Sequence, residues 1–158
     1  MASIVEIWSI DNKVDRRIPV TWFSWLIQLY SWFNHTVIRV DDKVYHAQWR
    51  VKEEDFEDWK NQADRLCYVQ PVSVPSHKII WLKEQVGKRY DIRGVIGQWF
   101  YCMWGIWIGK YQEYRSEKRW FCSELGAAFL GLEKPHLFSP EGLSNMLPAG
   151  YLVITRKK

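Results

Sequence analysis

The sequence predicts an α+β chain, and three features carry that expectation. Short β-branched runs, HTVIRV at 35–40 and VYHAQW at 44–49, are spaced as a hairpin around the turn residues DDK. Apolar runs with helical period lie in stretches of their own. Strand and helix runs are therefore segregated, the pattern of α+β architecture. At 158 residues the chain fits a single domain, 1–158, and a domain of this size buries about 70% of its unfolded surface without staples.

SIVEIWSI at 3–10 reads as a first strand. The run 19–33, PVTWFSWLIQLYSWF, places Trp22, Trp25, Leu26 and Leu29 near one helical face. The hairpin of 35–40 and 44–49 follows, then an acidic helix over 53–63 and a strand over 65–72. Pro75 and Ser76 open a helix that closes at Gly87 as its C-cap. KRYDIRG reads as a loop, 95–109 as a helical aromatic segment and 110–119 as a polar loop. A helix beginning at Cys122 stops near Gly131, Ser139 before Pro140 starts another, and GYLVITRKK ends as a strand with a basic tail.

Composition narrows the classes of function. The net charge is +4, and the charges are spread along the chain. No basic stripe is dense enough for nucleic acid. Eleven Trp among 158 residues call for a thick aromatic core or an aromatic-lined groove. Three cysteines, Cys67, Cys102 and Cys122, have no regular spacing, which argues against a disulfide framework and for a reducing, cytoplasmic setting. The N-terminus shows no secretory signal. The run VIGQWFYCMWGIWIG at 95–109 contains Gln98 and falls short of the about 20 residues that a bilayer span needs. It reads as a buried or interfacial segment, so a peripheral membrane contact through 95–109 stands beside a core role.

The stretch that invites chemistry is RWFCSELGAAFLGL at 119–132. Cys122 stands at a helix N-terminus, where free N–H groups and the helix dipole lower a thiol pKa and can hold an oxyanion. Small residues on the first turns, Ser123, Gly126 and Ala127, would let this helix press on a sheet. From local pattern alone Cys122 reads first as a buried helix cysteine, and Glu124 as a first-turn acid. His35 begins a strand and His46 lies on the partner strand, so the two imidazoles are candidate neighbours that suit a base and its orienter; each alone also reads as an ordinary strand residue. Zinc on Cys122, His35 and His46 is disfavoured, since no Cys-x-x-Cys or His-x-x-x-His pair exists. His77 and His136 receive no role, and Cys67 and Cys102 read as packing residues.

Three stretches in this order, FNHTVIRVDDKVYHA, GKRYDIRG and RWFCSELGAAFLG, resemble the circularly permuted branch of the NlpC-type papain-like cysteine hydrolases (the YiiX/YebB-like branch). There the His strand precedes the Cys helix, as here. The likeness spans about residues 18–148 and is most specific at the Cys-Ser-Glu-Leu helix with its upstream His. It implies a papain-like fold with an antiparallel sheet packed against the Cys helix, thiol and imidazole meeting across the interface. It implies Cys122 as nucleophile, His35 as general base and His46 as the third polar residue, often an acid in the family. Tyr90 matches a family Tyr near the cleft, and Tyr90 with Ser123 is assigned to the oxyanion site or cleft; Asp91 beside Tyr90 reads as a loop hydrogen-bonding residue. Asn34 departs from the small residue usual before the His, and 95–119 is unusually aromatic.

The activity so implied is a cysteine peptidase or amidase working through a thioester, with no cofactor and no metal. Its substrate is a peptide, including cell-wall peptide. The alternatives are acyl transfer or ester hydrolysis on acyl lipids, with Trp99, Phe100, Trp104 and Trp107 as an acyl-binding wall, or a non-catalytic binding protein on the same fold. A small domain of this kind fits a bacterium or a phage, and a virion-associated place is the alternative to the cytoplasm.

Overall fold

The computed structural model describes residues 2–12, 33, 35–62, 65–104 and 119–156. The strands are β1 (Ala2–Asn12), β2 (His35–Val40), β3 (Lys43–Gln48), β4 (Arg50–Asp55), β5 (Arg65–Pro75), β6 (Arg89–Tyr90), β7 (Arg119–Trp120) and β8 (Tyr151–Thr155). The helices are α1 (Phe56–Asn61), α2 (Ser76–Glu84), α3 (Ile92–Trp104), α4 (Cys122–Leu130) and α5 (Pro140–Asn145), with a 3-10 turn at Pro135–Leu137. The α+β expectation holds. Six antiparallel strands run in the order β4-β3-β2-β1-β5-β8, and the short β6 and β7 extend the β4 edge. The expected helix at 19–33, all of it but Phe33, lies outside the described residues, as do Asn34, residues 105–109 of the aromatic segment with Trp107, and the expected loop of 110–119 up to 118; Arg119 itself belongs to β7 rather than to that loop.

Turn chemistry sets the hairpin that carries both histidines. Val40 pairs Lys43 across two residues, and Asp41 adopts φ 54, a left-handed conformation that Asp tolerates because its short side chain bonds locally. The next turn is tighter. Gln48 pairs Arg50 with only Trp49 between them, at φ 56. The chain therefore returns at once as β4, where the sequence suggested the start of an acidic helix. That helix begins later, at Phe56, where the Asp55 carboxylate accepts from the Glu57 N–H at 3.0 Å. Gly87, expected as the α2 C-cap, instead closes the turn after the helix at φ 87, and Gln85 is the cap. KRYDIRG holds β6 and the start of α3 rather than a plain loop, and Asp91 accepts from the Gly94 N–H at 3.1 Å, the hydrogen-bonding part expected of it.

Both faces of the sheet are covered. On one, Ile7, Ile38, Tyr45 and Ala47 share a cluster with Leu82 of α2 and with Leu125 and Phe129 of α4. On the other, Trp8, Ile10, Val37, Val44, Cys67 and Val69 pack with Phe56 and Trp59 of α1. Each fully buried Ile or Leu contributes about 1.5–3 kcal/mol through removal of apolar surface from water. α4 presses close because Gly126 has no side chain: a Cβ there would sit 2.8 Å from Leu143 Cδ2 and 3.3 Å from Thr36 Cγ2. The helix stops at Gly131, which takes φ 80, the left-handed cap that favours glycine.

Candidate functional site

His35 and His46 meet on the hairpin. His35 Nε2 lies 3.1 Å from His46 Nδ1, with the rings edge-to-face at 84°. Strand parity explains it. His35 pairs Ile10 in register, and His46 alternates with Val44. Both imidazoles thus belong to the face that carries Trp8, Val37 and α1. His46 is buried, at 4% exposure, and its Nε2 lies 3.7 Å from Glu54 Oε1 on β4. Glu54 is in turn held by Gln62 Nε2, which donates at 3.2 Å, and by Lys52 Nζ at 3.8 Å. The His46 imidazole, as partner of Glu54, holds that carboxyl down at about 2. Burial first, then the neighbouring His46 and Arg65, push the His35 pKa well below its ordinary 6.5. His35 is therefore a neutral imidazole at neutral pH.

Cys122 opens α4, 2% exposed. Gly126 and Leu125 place its helix on the opposite face, the face of Thr36 and Ile38. The sulfur reaches the backbone N–H of Thr36, the residue beside His35, and is also faced by the N–H groups of Cys122 and Ser123 and by the Ser123 hydroxyl. All of these favour a thiolate, but burial outweighs them and raises the pKa to about 11. The low thiol pKa expected of a helix N-terminus is therefore corrected. The N–H groups at the helix start do favour the thiolate, and loss of water around the sulfur outweighs them. Thiol and imidazole do not meet through the helix–sheet interface as the resemblance implies. They approach the end of β2 from opposite faces, and no direct hydrogen bond joins them among the described residues.

The remaining candidates fall into place around these groups. Tyr90 packs with Val95 and Phe121, the residue before Cys122. Glu124 reaches back to the Phe121 N–H at 3.4 Å, so it acts on its own helix start. Cys67 is buried among apolar residues, and burial lifts its thiol to about 12. The side chain of Cys102 lies outside the description. Among the described residues no three His, Cys, Asp or Glu side chains are grouped to hold a metal ion, and no helix is long and apolar enough to cross a membrane. On α3, the rings of Trp99, Phe100 and Trp104 cluster at centroid distances of 4.8–5.1 Å, Trp99 edge-to-face with the other two, and Trp104 is 55% exposed.

Sequence reasoning missed Glu54 and Thr36. Glu54 was hidden because 53–63 read as one acidic helix; a strand starting at Arg50 would have put Glu54 beside Val44, two residues from His46. Thr36 contributes only backbone at the sulfur, which no side-chain pattern signals. Comparison of the chain with protein-family models, with curated proteins and with solved structures finds no match.

Proposed function

We propose that the chain is a cysteine hydrolase of the permuted NlpC-type, papain-like kind, which cleaves an amide bond in a peptide. The observation that carries this reading is the pairing of His35 Nε2 with His46 Nδ1 at 3.1 Å while the Cys122 thiol lies against the backbone beside His35. A base, an orienter and a thiol at a helix start are the parts that nucleophilic catalysis needs.

With Nε2 committed to His46, Nδ1 of His35 is the basic atom. It takes the Cys122 proton through one water around the end of β2, since the thiol lies on the opposite face, as the sulfur attacks the carbonyl carbon. The N–H groups of Cys122 and Ser123 hold the oxyanion, and Tyr90 lines the approach. His35 then gives its proton to the departing amine, leaving a thioester. Water attacks next, His35 taking its proton, and the Cys122 thiolate leaves and is reprotonated by His35. Because the resting thiol is held protonated, activation is by general base rather than by a standing ion pair. The aromatic group of partly buried Trp99 and Phe100 with exposed Trp104 supports an acyl-lipid substrate as the second choice of carbonyl. A non-catalytic role on the same fold is supported by the separate faces of thiol and imidazoles.

The test is alkylation of each cysteine by iodoacetamide against pH, read by mass spectrometry, in the native protein and in His35→Ala. Cys122 should react at neutral pH with a rate that follows the neutral form of His35, and His35→Ala should slow it by about 10²- to 10⁴-fold, the usual worth of a general base. A Cys122 rate that rises only with its own ionisation near 11, unchanged in His35→Ala, would leave the non-catalytic reading.

A further inference from the structure

The histidine pair does not end at His46. His46 Nε2 is buried, and 3.7 Å from it stands Oε1 of the Glu54 carboxylate, which Lys52 Nζ also approaches at 3.8 Å, while Gln62 Nε2 donates to the other oxygen, Oε2, at 3.2 Å. We propose that Glu54 is a positioning residue that fixes the tautomer of His46 and, through it, that of His35. The proposal rests on the hydrolase reading for its purpose, but the proton arrangement stands on geometry alone.

A neutral imidazole has one N–H and one lone pair. At 3.7 Å the contact is longer than a hydrogen bond, so its effect is electrostatic. Even so it has a sign. A ring N–H aimed at a carboxylate is attracted, and a lone pair aimed there is repelled. The neutral form of His46 therefore carries its proton on Nε2, toward Glu54. Its Nδ1 is then the acceptor, and across 3.1 Å the donor is His35 Nε2–H. That leaves the lone pair of His35 on Nδ1, the only state in which this ring can receive a proton from a thiol. The cations on this face act on charge and do not reverse the order. Lys52 Nζ sits on the Glu54 carboxylate, and Arg65 of β5 disfavours the charged form of His35. The chain of N–H groups thus points from His35 through His46 to Glu54. Without the carboxylate nothing in this row distinguishes the two nitrogens of His46.

Imidazole ¹⁵N chemical shifts of the full chain near neutral pH read the tautomers directly. Both rings should appear as the Nε2–H form. Glu54→Leu should bring His46 into a mixture of tautomers, give His35 a fraction of Nδ1–H, and slow iodoacetamide alkylation of Cys122 about tenfold, a part of the general-base factor. Glu54→Gln, which keeps an acceptor oxygen, should restore most of the wild-type shifts and rate. A wild-type His46 protonated on Nδ1 overturns the proposal without any variant; so do tautomers that Glu54→Leu leaves in place. The two ideas fail separately. Tautomers that follow Glu54 while alkylation ignores His35→Ala keep this inference and remove the hydrolase; alkylation that needs His35 while tautomers ignore Glu54 does the reverse.

Discussion

Cys122 begins a helix whose Leu125 and Phe129 share a dry cluster with Ile38 and Tyr45. One strand thickness away, His35, His46 and Glu54 form a row that ends at Gln62 and Lys52 near the surface. The same burial acts on both sides and drives both groups to their neutral forms, the thiol upward and the imidazole downward. The difference lies in what each face offers in return. The helix face gives the sulfur only N–H groups and a hydroxyl, while the other face gives the imidazoles a path to an ionised carboxylate. On the hydrolase reading proposed above, a protonated thiol and a neutral imidazole are the forms between which a proton can pass, and a protonated thiol also resists oxidation, which attacks thiolates.

The largest effect should come from breaking the helix face. Gly126→Val adds a Cβ only 2.8 Å from Leu143 Cδ2 and 3.3 Å from Thr36 Cγ2, with two methyls beyond it. Leu143 is fully buried and has little room to yield. Overpacking of this kind costs about 1–3 kcal/mol, and each kcal/mol shifts Tm by roughly 2–4 °C in a domain of this size. Thermal melts should therefore show a fall of several degrees. Gly126→Ala should fall less, because alanine recovers about 1 kcal/mol of helix propensity. Equal melts for all three proteins would mean that the helix does not sit this close to Thr36.

Much of this comparison was legible in the residues, and its central point was not. The hairpin announced that His35 and His46 are neighbours, because HTVIRV and VYHAQW have strand composition and a polar turn between them. The start and stop of α4 were equally plain, from the small residues after Cys122 and from Gly131. Which face the imidazoles take was hidden. In β2, Thr36, Ile38 and Val40 face α4 while His35, Val37 and Arg39 face α1, and both sets contain buried residues. Alternation marks a face only when one side is polar. β4 escaped notice because Trp49, neither Gly nor Asn, takes the left-handed conformation of its turn. The direction of the Cys122 shift followed from packing density around the sulfur, a long-range property.

A smaller effect isolates the imidazole. His35 has its folded pKa depressed below the ordinary 6.5 by burial, then by His46 and Arg65. Between the two values the unfolded chain binds a proton that the native protein refuses. The stability owed to neutral His35 is thus complete above pH 6.5 and is lost as pH falls from there toward the depressed value. Urea unfolding should show stability falling through this window, with a slope no steeper than about 1.4 kcal/mol per pH unit for one proton. His35→Leu should flatten that part of the profile. A wild-type profile already flat below 6.5 would mean that the ring is hydrated and free to charge.

The smallest effect belongs to Glu54, and it separates the two ends of the row. Its carboxyl is held at about 2 against an ordinary 4.5, chiefly by His46. The sign is that of a stabilised anion: the contribution is complete above 4.5 and is lost as pH falls toward 2. The side chain keeps 23% exposure, so water and salt screen the interaction and the loss should be modest. Two steps should then appear on acidification, one starting near 6.5 that His35→Leu removes and one starting near 4.5 that Glu54→Gln removes. Salt should shrink the lower step more than the upper, because the upper arises from burial and the lower from charge. Removal of both steps by Glu54→Gln would show that the carboxylate governs the charge of the imidazoles as well as their tautomers.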